Sequence, residues 1–201
     1  MYDTAAIVLA AGLSRRMGDI NKLLIEIDGM PMIRRTVAAC AAVCDAPVTV
    51  VTGHQSENIE RVLEGLVVGF THNPGFADGQ QGSVAVGLRS APEARTTLIV
   101  LGDQPLLDGP ALEQLLAAHH AGDESRITLP VNGDERGNPL LIPLPLKRSL
   151  MADKKNPGCR KFTREHPDKV NLVALADPAY FTDLDTLEDL QSYRAGSGRS
   201  K

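Results

Sequence analysis

The sequence predicts an α/β fold, a single Rossmann-like three-layer sandwich with a mostly parallel sheet. Three observations lead there. Short apolar runs without internal alternation, such as Ala5 to Ala11 (AAIVLAA), have the chemistry of strands buried on both faces. Those runs alternate with stretches of helical length and composition, which implies right-handed crossovers and a sheet covered on both sides. No repeat, low-complexity linker or break in composition divides the 201 residues.

Ala5 to Ala11 is the expected first central strand, closed by Gly12. A polar loop, Leu13 to Lys22, precedes LLIEI, and Pro31 then sits where a first helical residue would, opening a helix from Met32 to Cys44. Strands are expected at Pro47 to Thr52, Leu66 to Thr71 and Thr97 to Leu101, with helices near Ser56 to Glu64 and Ser83 to Ser90 between them. A helix from about Pro110 to His120 leads to a strand at Arg126 to Val131. Beyond it the pattern loosens: a short strand at Pro139 to Pro143, helices at Lys147 to Asp153 and Cys159 to Glu165, a strand at Val170 to Ala174, and a last helix starting near Thr186. Residues 1–194 are the expected domain, and Ala195 to Lys201 (AGSGRSK) an expected disordered tail.

Composition narrows the function. A net charge of −4 with scattered Lys and Arg provides no basic field for a nucleic-acid backbone. With no Trp, three Tyr and four Phe, a base-stacking platform is not expected, and a bound base would be held by backbone and small polar groups. No apolar run approaches the length of a membrane span. Cys40, Cys44 and Cys159 are few and odd in number and no secretory signal precedes them, which points to the cytoplasm and to buried core thiols. His54, His72, His119 and His120 match no metal spacing and no triad, and are read as surface or satisfied core residues.

The stretch LAAGLSRRMGDINK, Leu9 to Lys22, follows a buried strand directly, where open α/β sheets bind ligands. Ala11 and Gly12 allow backbone amides to approach phosphate oxygens, and Arg16 and Lys22 can neutralise a polyphosphate. A flexible polar connection would show the same composition. Two commoner phosphate motifs fail: Gly18 is followed by Asp19, not by the Lys and Ser or Thr of a Walker loop, and Gly12 and Gly18 stand too far apart for the dinucleotide fingerprint. That second failure disfavours an NAD-dependent oxidoreductase.

LAAGLSRRMG followed by Lys22 and two leucines resembles the signature loop of the small NTP transferases that include the molybdenum cofactor cytidylyltransferases and guanylyltransferases, the MocA and MobA families. The resemblance implies a fold of the nucleotide-diphospho-sugar transferase type and a loop that wraps the triphosphate of an NTP. Leu9, Ala10, Ala11 and Gly12 would then line the nucleotide, with Arg16 and Lys22 on its phosphates. Three residues separate Gly18 from Lys22, one more than expected of many relatives.

Three further segments carry the resemblance. LIVLGDQP ends an apolar strand in Asp103, a hard oxygen ligand suited to Mg²⁺, although an Asp there could instead cap the next helix. GDQP resembles the metal-binding segment of the cytidylyltransferase branch, which implies a metal-bound Asp103, catalytic together with Arg16 and Lys22. TDLDTLED resembles the family's carboxy-terminal DxDT segment, making Asp185 the second metal carboxylate with Asp183 beside it; capping by Asp185 or Thr186 is the alternative. NPGFADGQQGSVAVG resembles the base-binding segment, with Gln81, Gly82 and Ser83 toward the base, while Ser83 would also serve as an N-cap. RGNP resembles a segment on the acceptor side, which would place Arg136, Gly137 and Asn138 near an acceptor phosphate; a plain turn has the same residues.

The implied reaction moves a nucleoside monophosphate, CMP from CTP first, onto the phosphate of molybdopterin, with a molybdoenzyme as receiver of the product. Transfer from GTP to the same cofactor, a sugar or polyol phosphate acceptor, and a non-catalytic sensor or chaperone for the cofactor are the competing readings.

Overall fold

The computed structural model describes residues 1–18, 20–152 and 159–197. The first strand, β1 (Tyr2–Ala10), is followed by two 3-10 turns, Arg15–Met17 and Lys22–Leu24, and by a small hairpin of β2 (Glu26–Ile27) and β3 (Met30–Pro31). Then come α1 (Met32–Val43), β4 (Val48–Thr52), α2 (Ser56–Val62), β5 (Val68–His72), a third 3-10 turn at Phe76–Asp78, α3 (Gln80–Ser90) and β6 (Ala94–Leu101). The remainder is α4 (Gly109–Ala121), β7 (Ile127–Asn132), β8 (Glu135–Arg136), β9 (Leu140–Pro143), α5 (Leu144–Ala152), α6 (Cys159–Glu165), β10 (Val170–Ala174) and α7 (Leu187–Ser197). The expected helix end at Asp153 and residues 198–201 lie outside the described residues, while Ala195 to Ser197, expected in a disordered tail, end α7.

Strands run in the order β10, β7, β9, β6, β1, β4, β5, with β8 paired to β7. β1 lies parallel between β4 and β6, and β5 continues that parallel half. β9 is antiparallel to both β6 and β7, so the parallel pattern is interrupted there. The mostly parallel three-layer sandwich is the expected one.

Period-two alternation in β1 shows why both faces are apolar. Ala6, Val8 and Ala10 join a core with residues of α1, α2 and α4, while Ile7, Leu9 and Ala11 pack with residues of α3, α5 and α6. Ile7 and Val8 are fully buried, each worth roughly 1.5–3 kcal/mol of transfer free energy. Two helix starts differ from expectation. Pro31 stands before the first turn of α1 as the last residue of β3, and α3 begins at Gln80, ahead of Ser83. Cys40 and Cys159 are buried free thiols, and Cys44 is half-buried. Burial pushes the Cys159 thiol up to about 12, so it packs as a small hydrophobe. Among the described residues no helix is long and apolar enough to cross a membrane.

Candidate active site

Where β1 and β6 end, the chain must leave the sheet twice within a few ångströms. Gly102 makes this possible. Its amide donates to Leu9 O at 3.1 Å, and a Cβ built on it would stand 2.9 Å from that same carbonyl oxygen and 2.9 Å from Ile33 Cδ1. The absent side chain therefore lets the first loop and Asp103 share one crevice.

The first loop is shaped by local bonds. Ser14 adopts a left-handed conformation (φ 50°), its carbonyl accepts from Met17 N, and its hydroxyl accepts from Lys22 N at 3.2 Å. Met17 is buried and pins the turn, while Asn21 caps the next one by accepting from Leu23 N. Lys22 is thereby aimed inward despite the additional residue before it. Its Nζ donates to Asp103 Oδ2 at 2.5 Å and to Asp185 Oδ1 at 2.6 Å, and Arg16 Nη1 donates to Asp185 Oδ2 at 2.8 Å.

Asp185 arrives from the other end of the chain. Leu184 N donates to Asp103 O at 3.1 Å, stitching the segment before α7 onto the end of β6. Thr186 and Asp189 cap α7 reciprocally: Asp189 Oδ2 accepts from Asp185 N and Thr186 N, and Thr186 Oγ1 accepts from Asp189 N. The Asp185 carboxylate is thus left for Lys22 and Arg16. Asp103 is likewise no cap, because Asp108 caps α4 by accepting from Ala111 N. Both capping alternatives fall to other residues.

Electrostatics follow the geometry. Burial works against the Lys22 ammonium, yet Asp103 and Asp185 outweigh it and hold the lysine above its usual range. The Lys22 hydrogen bond, with Arg16 beside it, holds the Asp185 carboxyl low. Asp183 moves the other way, up to about 7, through desolvation and repulsion from Asp103 and Asp185. Lys22 and Arg16 match the charges of Asp103 and Asp185, and Asp183 adds negative charge only as it ionises. Asp103 Oδ1 is buried with no hydrogen-bond partner among the described residues. An unpartnered hard oxygen with a second carboxylate beside it fits a divalent cation. Among the described residues no cluster of three or more His, Cys, Asp or Glu side chains forms an all-protein metal cage.

These groups line a cavity of about 410 Å³, a volume suited to a small ligand. Leu9, Ala11, Gly12, Arg16, Lys22, Ser83, Asp103 and Asp185, all singled out from sequence, line it together. Ala10, Gln81, Gly82, Arg136, Gly137 and Asn138 are not among its lining residues. Arg15, Phe76 and Gln80 are, and sequence reasoning passed over them. Arg15 belonged to the basic pair already noticed, and Gln80 to the QQ pair one position early. Phe76 supplies an aromatic side chain where only small polar groups were expected.

The RGNP segment has a different setting. Arg136 Nη1 donates to Thr163 O, Asn138 N donates to Tyr180 O at 2.9 Å, and a Cβ on Gly137 would lie 2.6 Å from Tyr180 O. The buried amide of Gln104 donates to the carbonyls of Asn138, Ala179 and Tyr180. RGNP and GDQP therefore anchor the strap that delivers Asp183 and Asp185.

The fold is thus an α/β sandwich with a Gly-containing loop opposite paired carboxylates at its strand ends, where such folds bind ligands. The chain belongs to the family of the MobA-like NTP transferase domain, whose model matches residues 6–170. That span contains Lys22 and Asp103 and stops before Asp185. A probable molybdenum cofactor guanylyltransferase of Natronomonas pharaonis is 32% identical over 115 residues, covering 57% of this chain and 56% of that protein. A bifunctional protein GlmU of Mycobacterium sp. (strain KMS) is 35% identical over 138 residues, covering 65% of this chain but only 28% of its own length. This chain thus corresponds to part of these relatives. A nucleotidyl transferase structure from Methanothermobacter thermautotroptrophicus superposes with a TM-score of 0.81 at 23% identity, covering 99% of both chains, a likeness of fold.

Proposed function

We propose that the chain transfers a nucleoside monophosphate from an NTP to a phosphorylated small acceptor and releases pyrophosphate. The observation that carries this reading is Lys22 set between Asp103 and Asp185 on the wall of a cavity that begins at the first strand's Gly-containing loop. In the reaction an acceptor phosphate oxygen attacks the α-phosphorus in line. The bond from that phosphorus to the bridging oxygen breaks, and its electron pair leaves with pyrophosphate. A phosphate nucleophile needs no protein base, so this chain's residues act by positioning and by charge. Lys22, Arg16 and Arg15 hold the triphosphate and stabilise charge gathering on the leaving group. Asp103 and Asp185 would hold Mg²⁺, which would supply positive charge against the phosphates.

CTP is the nucleotide and molybdopterin the acceptor in this reading, supported by the GDQP and RGNP resemblances, with a cytoplasmic setting and a molybdoenzyme downstream. The guanylyltransferase relative supports a second reading, GTP as donor to the same cofactor. Pyrophosphate release measured with each of the four NTPs, with and without purified molybdenum cofactor, separates the two. Release that depends on cofactor and is fastest with CTP supports the first; no release with any nucleotide overturns both.

A further inference from the structure

A serine hydroxyl offers one hydrogen and two lone pairs, and which of them meets a ligand depends on its other partner. For Ser83 that partner is Asn73, ten positions earlier in the chain and, like Ser83, only 4% exposed. Asn73 is fixed from several sides. Its backbone N–H donates to Thr52 O at 2.8 Å at the end of β4, and its backbone carbonyl accepts from Phe76 N at 3.3 Å. Its side-chain Oδ1 accepts from Gly75 N at 3.1 Å.

This last bond sets the amide's direction. A backbone N–H can only donate, so the carbonyl half of the Asn73 amide faces Gly75 and the NH₂ half faces Ser83. Nδ2 then donates to Ser83 Oγ at 3.0 Å. That bond takes one lone pair of the Ser83 oxygen and turns it toward Asn73, leaving the hydroxyl hydrogen to donate. Among the described residues Asn73 is the only hydrogen-bond partner of the Ser83 hydroxyl, and Ser83 lines the cavity beside Phe76 and Gln80, at the part of its wall built from α3 and the turn before it.

We propose that Asn73 is a positioning residue that makes Ser83 a dedicated donor to the nucleobase, which must present a carbonyl oxygen or an unprotonated ring nitrogen there. The inference rests on the cavity being an NTP site. It assigns to Asn73 a part in base selection although Asn73 itself does not line the cavity.

Asn73→Asp keeps the size of the side chain and the acceptor for Gly75 N–H but replaces the NH₂ with an oxygen. Ser83 must then donate to residue 73 and has no hydrogen for the base. Ser83→Ala removes the donor directly. Calorimetric titration of the full chain, in magnesium buffer, uses two probes: the NTP of the four that binds tightest, and inorganic tripolyphosphate, which has no base. Each variant should weaken the NTP about tenfold, the worth of one net hydrogen bond, and leave tripolyphosphate unchanged. The double variant should be no weaker than Ser83→Ala alone.

Unchanged NTP binding in either single variant overturns the proposal, as does a parallel loss of tripolyphosphate, which would mark general distortion. If Asn73→Asp does not fold, Asn73→Ala on the Ser83→Ala background decides: a further loss of NTP affinity shows that Asn73 acts independently of Ser83 and overturns the proposal. Wild-type protein that binds neither probe overturns the NTP reading itself, a result distinct from the others.

Discussion

The ammonium of Lys22 lies 2.5 Å from Asp103 Oδ2 and, with its other bond, 2.6 Å from Asp185 Oδ1. One cation therefore occupies the two carboxylates that suit a divalent metal, and phosphates that draw Lys22 toward themselves would release both. In nucleotide-free protein, Lys22→Met should raise affinity for Mn²⁺ by about tenfold, the exchange of one charge-assisted contact. Electron paramagnetic resonance of unbound Mn²⁺ measures this directly. Equal or weaker binding by the variant means that the ammonium and the metal do not compete.

Turnover should respond in the opposite sense. Lys22→Ala should lower kcat/KM by about 10²–10³, the loss of one preorganised donor, or roughly 3–4 kcal/mol. Asp103→Ala should abolish pyrophosphate release while the circular dichroism spectrum stays that of the wild type. Substantial release by that variant removes Asp103 from the metal site.

Gly102→Ala tests the close approach of the two strand ends. A methyl group 2.9 Å from a backbone oxygen cannot be accommodated by a rotamer change, so β1 and β6 must separate or Asp103 must shift. We expect a loss of about 1–3 kcal/mol in a denaturant titration, as for other overpacked sites, together with weakened nucleotide binding. A variant as stable and active as the wild type shows that the junction gives way freely.

His119 gives a pH signature away from the cavity. It is fully buried, with Nδ1 2.8 Å from Thr128 Oγ1 and Nε2 3.4 Å from Thr96 Oγ1. Burial, with His120 adding repulsion, holds its imidazole below the usual value of 6.5. The unfolded chain then binds a proton that the folded chain refuses, so this residue's contribution is intact above pH 6.5 and is lost as pH falls from there through the lowered folded value. Urea midpoints at pH 7.5 and 5.5 should therefore drop more in wild type than in His119→Gln. An equal drop in both places the acid sensitivity elsewhere.

Much of this was legible in the residues. Ala5 to Ala11 announced a doubly buried strand, and the resemblance carried by Arg16, Lys22, Asp103 and Asp185 named side chains that the fold brings together. The antiparallel insertion of β9 was not legible, because Leu140–Pro143 has the same composition in either direction and its pairing with β6 is a long-range choice. The start of α3 was missed for a local reason. Gly79 precedes Gln80 without a capping side chain, so the helix starts without the usual signal, and Ser83, the apparent cap, is turned instead to Asn73. Gln104 looked like part of a metal motif, yet its amide binds three carbonyls from two distant segments, a role that no spacing reveals.

The pairing of Lys22 with Asp185 joins residues 163 positions apart. A contact of that span carries the loop-closure entropy of nearly the whole chain. A chain without the segment before α7 would hold Lys22 against Asp103 alone and lack the second carboxylate. The setting of Lys22 between two carboxylates is thus complete only when the segment before α7 has docked.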